Sequence, residues 1–249
     1  EIIPGRDTSP ETVNAAVALV QGLGKTPVVV QDCAGFLVNR ILFPYLNEAL
    51  HLLNEGMDFE YVDKCITNFG MPMGPFTLDD EVGLDTAYKA AKSVEHVYGA
   101  RMQTLPFIGK LVEAGLLGKK SGKGFYIHEK GKKRVRNSDI EKIVGLGSKA
   151  MTKPDAQLIV DRLILPMVNE AVRCLEDKII EKPEYLDMAM ILGTGFPPFR
   201  GGLLRYADSR GLANVVGRLE ELAQQYGERY RPAEMLREFA SKQMTFYQN

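Results

Sequence analysis

One ten-residue string occurs twice in this 249-residue chain, and no other feature limits the possible folds so strongly. Arg40-Ile-Leu-Phe-Pro-Tyr-Leu-Asn-Glu-Ala49 returns as Arg162-Leu-Ile-Leu-Pro-Met-Val-Asn-Glu-Ala171, at an offset of 122 (162 − 40). Two downstream blocks follow in the same order. Gly70-Met-Pro-Met-Gly74 answers to Gly195-Phe-Pro-Pro-Phe199, and Asp80 with Gly83-Leu84 answers to Asp208 with Gly211-Leu212. A long-period repeat of this kind is one supersecondary unit used twice. The expected division is a first helical module over 1–127, a charged linker over 128–153 and a duplicated module over 154–249. The copies differ at one telling place. Asn39 corresponds to Asp161, and the glycine entry before the first repeat has no counterpart in the second.

The first repeat sits in the stretch Asp32 to Asn54. A β-rich run, Pro27-Val-Val-Val30, leads through Asp32 and Gly35 into apolar positions Phe36, Phe43, Leu46, Leu50 and Leu53 at helical spacing, the pattern of a central core helix. Asn39 falls in its first or second turn, beside the positive end of the helix dipole, where an amide could hold a carbonyl. On residue type alone, the plainer reading is an amide that satisfies nearby backbone groups.

Helix signals continue on both sides. Ser9-Pro10 starts a helix with Val13, Ala16, Val17 and Val20 on one face, stopped at Gly22 and Gly24. Asp58 caps Phe59 to Phe69, Pro72-Met-Gly-Pro75 makes a corner, and helices follow through Leu78 and Val82, Asp85 to Tyr98 and Pro106 to Ala114. In the second half the spacing predicts helices over Ala156 to Leu175, Leu212 to Tyr226 and Pro232 to Phe239. The charged, poorly periodic stretch from His128 to Pro154 reads as a solvated linker. The expected class is therefore all-α.

Composition excludes more than it selects. With 31 basic and 32 acidic residues the chain has no general attraction for nucleic acid or anionic membranes. No apolar run is long enough to span a bilayer. The three cysteines, Cys33, Cys65 and Cys174, lie in apolar patterns and suit reduced thiols, favouring a bacterial cytoplasm, with the mitochondrial matrix as the alternative. The opening Glu1-Ile-Ile-Pro4, without Met or leader, reads as the start of a piece cut from a longer polypeptide.

Several site motifs fail on context. Gly145-Leu-Gly-Ser-Lys-Ala150 has dinucleotide spacing but follows a charged segment and meets Pro154, so no nucleotide-binding Rossmann half is expected in the chain. His51, His96 and His128 are scattered and form neither a metal set nor a triad. Gly118-Lys-Lys-Ser-Gly-Lys-Gly-Phe-Tyr126 could bring backbone amides and ammonium groups to a pyrophosphate, though such turns are commonly only solvated.

In sum, EIIPGRDTSPET, GKTPVVVQDCAGFLVNR, GMPMGPFTLDDEVGLD, GKKSGKGFY and GFPPFRGG resemble the C-terminal region of L-3-hydroxyacyl-CoA dehydrogenases. The doubled module is most like the α subunit of the fatty-acid β-oxidation multienzyme complex. The resemblance implies a 6-phosphogluconate dehydrogenase C-terminal-like helical fold and hydride transfer from C3 of a 3-hydroxyacyl-CoA to NAD. It places the family's histidine-orienting glutamate on Glu1, its substrate-binding asparagine on Asn39 and a lysine that touches NAD on Lys120. It puts the catalytic histidine and the whole NAD-binding domain outside these residues, so the piece alone is expected to be inactive. For the parent it implies a preceding enoyl-CoA hydratase domain.

The second copy would mimic within one chain the pairing of single-module relatives, burying Leu42, Leu46, Ile164 and Val168. Leu192, before the GTGFPPF corner, stands as a candidate for contact with the acyl chain. Two other readings remain beside this one: a non-catalytic docking module for a thiolase β subunit, and a dehydrogenase of another 3-hydroxy acid or its CoA ester.

Overall fold

The computed structural model describes residues 1–145 and 152–247; Leu146 to Ala150 of the rejected dinucleotide-like motif lie outside them. The helices are α1 (Pro10–Gly22), α2 (Val38–Asn54), α3 (Phe59–Phe69), α4 (Pro75–Val82), α5 (Leu84–Tyr98), α6 (Phe107–Glu113), α7 (Asp139–Val144), α8 (Ala156–Glu176), α9 (Pro183–Thr194), α10 (Leu203–Arg210), α11 (Leu212–Tyr226) and α12 (Glu234–Ser241). Local chemistry sets many of their ends. Ser9 accepts the Thr12 amide at the start of α1, Asp58 accepts the Tyr61 amide at the start of α3, and Gly70 closes α3 at φ 120°.

The repeated strings form α2 and α8, which pack on one another at the centre. Their charged residues pair reciprocally. Arg40 donates to Glu170 (2.7 Å) and Asp177 (2.6 Å), while Arg162 donates to Glu48 and to Glu55 (2.8 Å). Each residue of one set lies 122 positions from its counterpart in the other (40/162, 48/170, 55/177), so a pseudo-two-fold axis passes between the helices. Arg40, Arg162, Glu48 and Glu170 are all buried. Burial alone would lower the Arg162 guanidinium, but Glu55 and Glu48 beside it push it above its ordinary value.

The flanking corners are also built alike. Asp63 on α3 accepts the Phe76 and Thr77 amides at the start of α4 and the Tyr126 hydroxyl (2.8 Å). Asp187 on α9 accepts the Leu204 and Arg205 amides at the start of α10 and the Tyr247 hydroxyl (2.7 Å). Gly74 and Gly202 sit where a Cβ would strike these carboxylates, so the close approach requires glycine. Asp80 then holds the Phe125 and Tyr126 amides, as Asp208 holds those of Phe246 and Tyr247.

Four expectations need correction. The chain is mostly helical but not all-α, because Tyr126–Ile127 pairs antiparallel with Val135–Arg136 and Ile2 bridges Val29. The 128–153 stretch is not solvated throughout: residues 129–135 are exposed, but Arg136 donates to Glu141, Asp58 and Glu60 over the Phe59 ring, and Ile140 is fully buried. Phe36 is not a helix residue; it stands at φ 50°, 40 % exposed, after Gly35 at φ 80°. Two successive left-handed residues cannot continue a right-handed helix, which delays α2 to Val38. Finally, Ile164 and Val168 are fully buried, but Leu42 and Leu46 are only half-buried because they face a cavity rather than α8.

Candidate functional site

The N-terminal segment is brought to the start of α2 by backbone pairing. The Ile2 amide donates to the Val28 carbonyl (2.8 Å) and the Val30 amide donates back to Ile2 (3.0 Å). Glu1 thereby reaches a helix end that its own sequence leaves without a capping side chain. Its Oε1 accepts the amides of Leu37 (2.8 Å) and Val38 (3.2 Å), so a carboxylate from 36 residues away caps the positive end of α2. Only Oε1 is engaged among the described residues.

Asn39 follows in the first turn, exposed, and its amide has no hydrogen bond to the described residues. The plainer reading, an amide occupied by local backbone, is therefore not what the structure shows. Asn39 lines a cavity of about 380 Å³ whose other walls are mostly apolar: Leu42, Phe43 and Leu46 of α2, Leu78 and Val82 of α4, and Ala87, Ala90 and Val94 of α5, with Thr86 and Ser93 as the polar exceptions. Glu1 and Asn39 thus meet at one helix end, at the edge of an apolar cavity. The second module reaches the same end: a Cβ on Gly193 would lie 3.0 Å from Val38, and Leu192 beside it is 62 % exposed.

Lys120 stands apart from that pair. Its ammonium is ion-paired with Asp85, next in the chain to Thr86 on the cavity wall, and remains 44 % exposed. Lys120 holds Asp85 below the usual carboxylate range. In the surrounding loop the amides of Gly118, Ser121, Gly122 and Gly124 are bonded to carbonyls of the same loop.

None of the histidines is bonded to Glu1. His128 Nε2 pairs with Asp80 (2.8 Å), holding the loop after α6; His51 lies in a cavity between the modules, its pKa lowered by burial and by Arg229; His96 lies on α5. No group of three metal-ligating side chains occurs among the described residues, and no described helix is long and apolar enough to cross a membrane. Sequence reasoning missed the buried Arg40 and Arg162 sets, although each triplet of Arg, Glu and acid recurs within the two copies. It also passed over Asp79, a buried acid beside Asp80.

Comparison with known proteins agrees with this arrangement and adds one correction. The family model "3-hydroxyacyl-CoA dehydrogenase, C-terminal domain" matches twice, over residues 35–128 and 158–245. The model "3-hydroxyacyl-CoA dehydrogenase, NAD binding domain" matches residues 1–33. The expectation that no part of a nucleotide-binding domain is present is thereby overturned. Searching for a phosphate fingerprint tests only one turn of such a domain, and α1 with the Val28–Val30 segment carries none.

The chain is 44 % identical over 247 residues to the fatty acid oxidation complex subunit alpha of Shewanella amazonensis, covering 99 % of this chain and 35 % of the relative. It is 45 % identical over 251 residues to the subunit of the same name from Vibrio parahaemolyticus, again over 99 % and 35 %. It therefore spans about a third of the length of these curated relatives. Among solved structures, 3-hydroxybutyryl-CoA dehydrogenase from Escherichia coli superposes with TM-score 0.80 at 25 % identity, covering 96 % of this chain and 66 % of that one. The dehydrogenase part of multifunctional enzyme 1 from C. elegans gives 0.67 at 27 %, covering 95 % and 55 %. With both repeats matched by the C-terminal domain model and the segment that carries Glu1 matched by the NAD-binding model, this chain belongs to the 3-hydroxyacyl-CoA dehydrogenase family.

Proposed function

We propose that the chain is the substrate-binding and intramolecular pseudo-dimer part of an NAD-dependent L-3-hydroxyacyl-CoA dehydrogenase of fatty-acid β-oxidation, and that the protein it serves oxidises 3-hydroxyacyl-CoA to 3-oxoacyl-CoA. The division into modules over 1–127 and 154–249 joined through 128–153 belongs to this reading. The observation that carries it is the meeting of Glu1, with one carboxylate oxygen uncommitted, and the unbonded Asn39 amide at the edge of an apolar cavity.

In this reading the Asn39 amide donates to the thioester carbonyl and stabilises the negative charge that gathers there. Glu1, held rigid by the α2 amides, offers Oε2 to the imidazole of a histidine supplied from outside this chain. There it orients the ring and stabilises the imidazolium formed when the substrate hydroxyl gives up its proton. Lys120 reaches the cofactor from the rim. NAD, when bound, accepts the hydride from C3. The acyl chain lies in the apolar cavity, and exposed Leu192, next in the chain to the Gly193 that packs near Val38, is the second module's candidate to meet it. The thiolase-docking alternative has no observation in its favour here, although the relatives' names as subunits of a complex make such a partner, and a hydratase domain in the parent, part of the proposal. A reducing bacterial cytoplasm suits the three free cysteines.

Calorimetric titration of the chain with a 3-hydroxyacyl-CoA tests this. Binding is expected, and Asn39→Ala should weaken it about tenfold or more; binding unchanged by that substitution would refute the assignment. The chain alone should reduce no NAD, since it lacks a histidine at Glu1.

A further inference from the structure

The turn that aims α2 at the site runs from Cys33 to Phe36. The Phe36 amide donates to the Cys33 carbonyl (2.9 Å), and both Gly35 and Phe36 stand in left-handed conformations, the second against the preference of any residue with a bulky side chain. A turn of that kind persists only where its surroundings fix it. Glu1 fixes the two residues that follow, and two further side chains hold the turn itself. The Cys33 thiol donates to the Phe36 carbonyl (3.1 Å) from within, and the Tyr98 hydroxyl, at the end of α5, donates to the Ala34 carbonyl (3.1 Å) from 64 residues away. Burial pushes the Tyr98 hydroxyl above its ordinary value, so it keeps the proton it donates.

Tyr98 is in turn held from the second module. Its ring centroid lies 4.7 Å from the guanidinium carbon of Arg40 and 4.7 Å from that of Arg101. Both guanidiniums donate to one carboxylate on α8, that of Glu170, Arg40 at 2.7 Å and Arg101 at 3.2 Å. The ring also packs against the cluster that contains Phe43 and Val94, two residues of the cavity wall.

The repeat separates what the ring does from what the hydroxyl does. Helices α5 and α11 are equivalent, each 15 residues long and each ending in tyrosine before a glycine, at an offset of 128 (226 − 98) that also relates Asp80 to Asp208. The twin, Tyr226, keeps the stack. Arg162 lies 3.8 Å from its ring, and Arg229 donates to Glu48 as Arg101 does to Glu170. The Tyr226 hydroxyl makes no hydrogen bond to the described residues, and the second copy has no glycine entry for it to hold. The ring therefore belongs to the contact between modules, whereas the hydroxyl serves something that only the first copy has.

We propose that Tyr98 is a positioning residue for the thioester site: its hydroxyl, aimed by ring contacts that lead to Glu170 of the second module, sets the Ala34 to Phe36 turn and so the direction in which α2 presents Asn39 and the Glu1 cap. The inference rests on the reading of Asn39 and its cavity as the acyl site. Through Tyr98 the duplicated module bears on substrate binding from a distance.

Tyr98→Phe removes the hydroxyl and keeps the ring, and Tyr226→Phe makes the same change at the twin. Calorimetric titration of the chain with a 3-hydroxyacyl-CoA is expected to show about threefold to tenfold weaker binding for Tyr98→Phe and unchanged binding for Tyr226→Phe, with the two variants melting alike. Amide hydrogen exchange reads the turn directly: Leu37 and Val38 should exchange faster in Tyr98→Phe and not in Tyr226→Phe. Unchanged affinity in Tyr98→Phe, or an equal loss in both variants, overturns the positioning role, while binding that still depends on Asn39 leaves the acyl site standing. Weaker binding with unchanged exchange at Leu37 and Val38 overturns the turn as its route. No binding by the unsubstituted chain overturns both the site and the role.

Discussion

The two modules carry the same helix pair at their hearts and use its outer face in opposite ways. In the first, α2 turns Asn39, Leu42 and Leu46 toward a cavity, and Asn39 makes no side-chain hydrogen bond to the described residues. In the second, the equivalent Asp161 is buried and bound by Arg210 (2.6 Å) and Arg218 (2.9 Å), so α10 and α11 are tied down on α8, while Ile164 and Val168 are sealed. The cavity of one copy has become core in the other. The difference teaches that the repeated Arg-Glu pairs belong to the architecture, since both copies keep them, whereas the proposed site residues Asn39 and Glu1 occur in one copy alone.

The comparison breaks first at the shared core. Arg162→Ala and Arg40→Ala should each cost about 3–5 kcal/mol in urea unfolding, because each strands a buried glutamate. If only one were costly, the pseudo-two-fold equivalence would be wrong. Next, Ile164→Ala should cost about 2–5 kcal/mol, whereas Leu42→Ala, at the cavity wall, should fall near or below the lower end of that range. A smaller contrast is expected at the divergent pair. Asp161→Ala should cost about 1–3 kcal/mol by releasing Arg210 and Arg218, and Asn39→Ala should stay within about 0.5 kcal/mol.

One further effect has the opposite sign. Asp79→Leu should stabilise the chain by about 1–2 kcal/mol at neutral pH, as an apolar side chain suits a buried position whose equivalent in the second copy is Ala207. The gain depends on pH. The folded Asp79 carboxyl titrates above its unfolded value, so the folded state holds a proton that the unfolded chain releases above about pH 4. Stability contributed by that proton is lost as pH rises from there through the raised value, so the advantage of Asp79→Leu should grow over that window. An advantage independent of pH in thermal melts would show that burial does not raise the Asp79 carboxyl.

Much of this was legible from residue order. The helices from Pro10, Phe59, Ala156 and Leu212 begin where Ser9, Asp58, Asp155 and Gly211 allow, because caps and glycines act over three or four residues. The delayed start of α2 was hidden, since nothing local forces Phe36 into a left-handed conformation; the capping of Leu37 and Val38 by Glu1 helps to fix it from outside. The hairpin at Tyr126 was hidden too, because strands of two residues carry no periodicity. Asn39 was visible from its place beside the helix dipole, but only the resemblance gave it a role, and Asp79 was not visible at all. Its standing depends on its burial, which only three-dimensional packing reveals.

Reciprocal pairing of Arg40 with Glu170 and of Arg162 with Glu48 has one more consequence. In an assembly of identical subunits every mutation is inherited by both sides of the two-fold axis, so neither face can change alone. Tandem fusion lifts that constraint: Ala207 and Asp79, or Asp161 and Asn39, can drift apart while the central contact stays fixed. Because the halves are tethered, their association is also unimolecular and does not weaken on dilution.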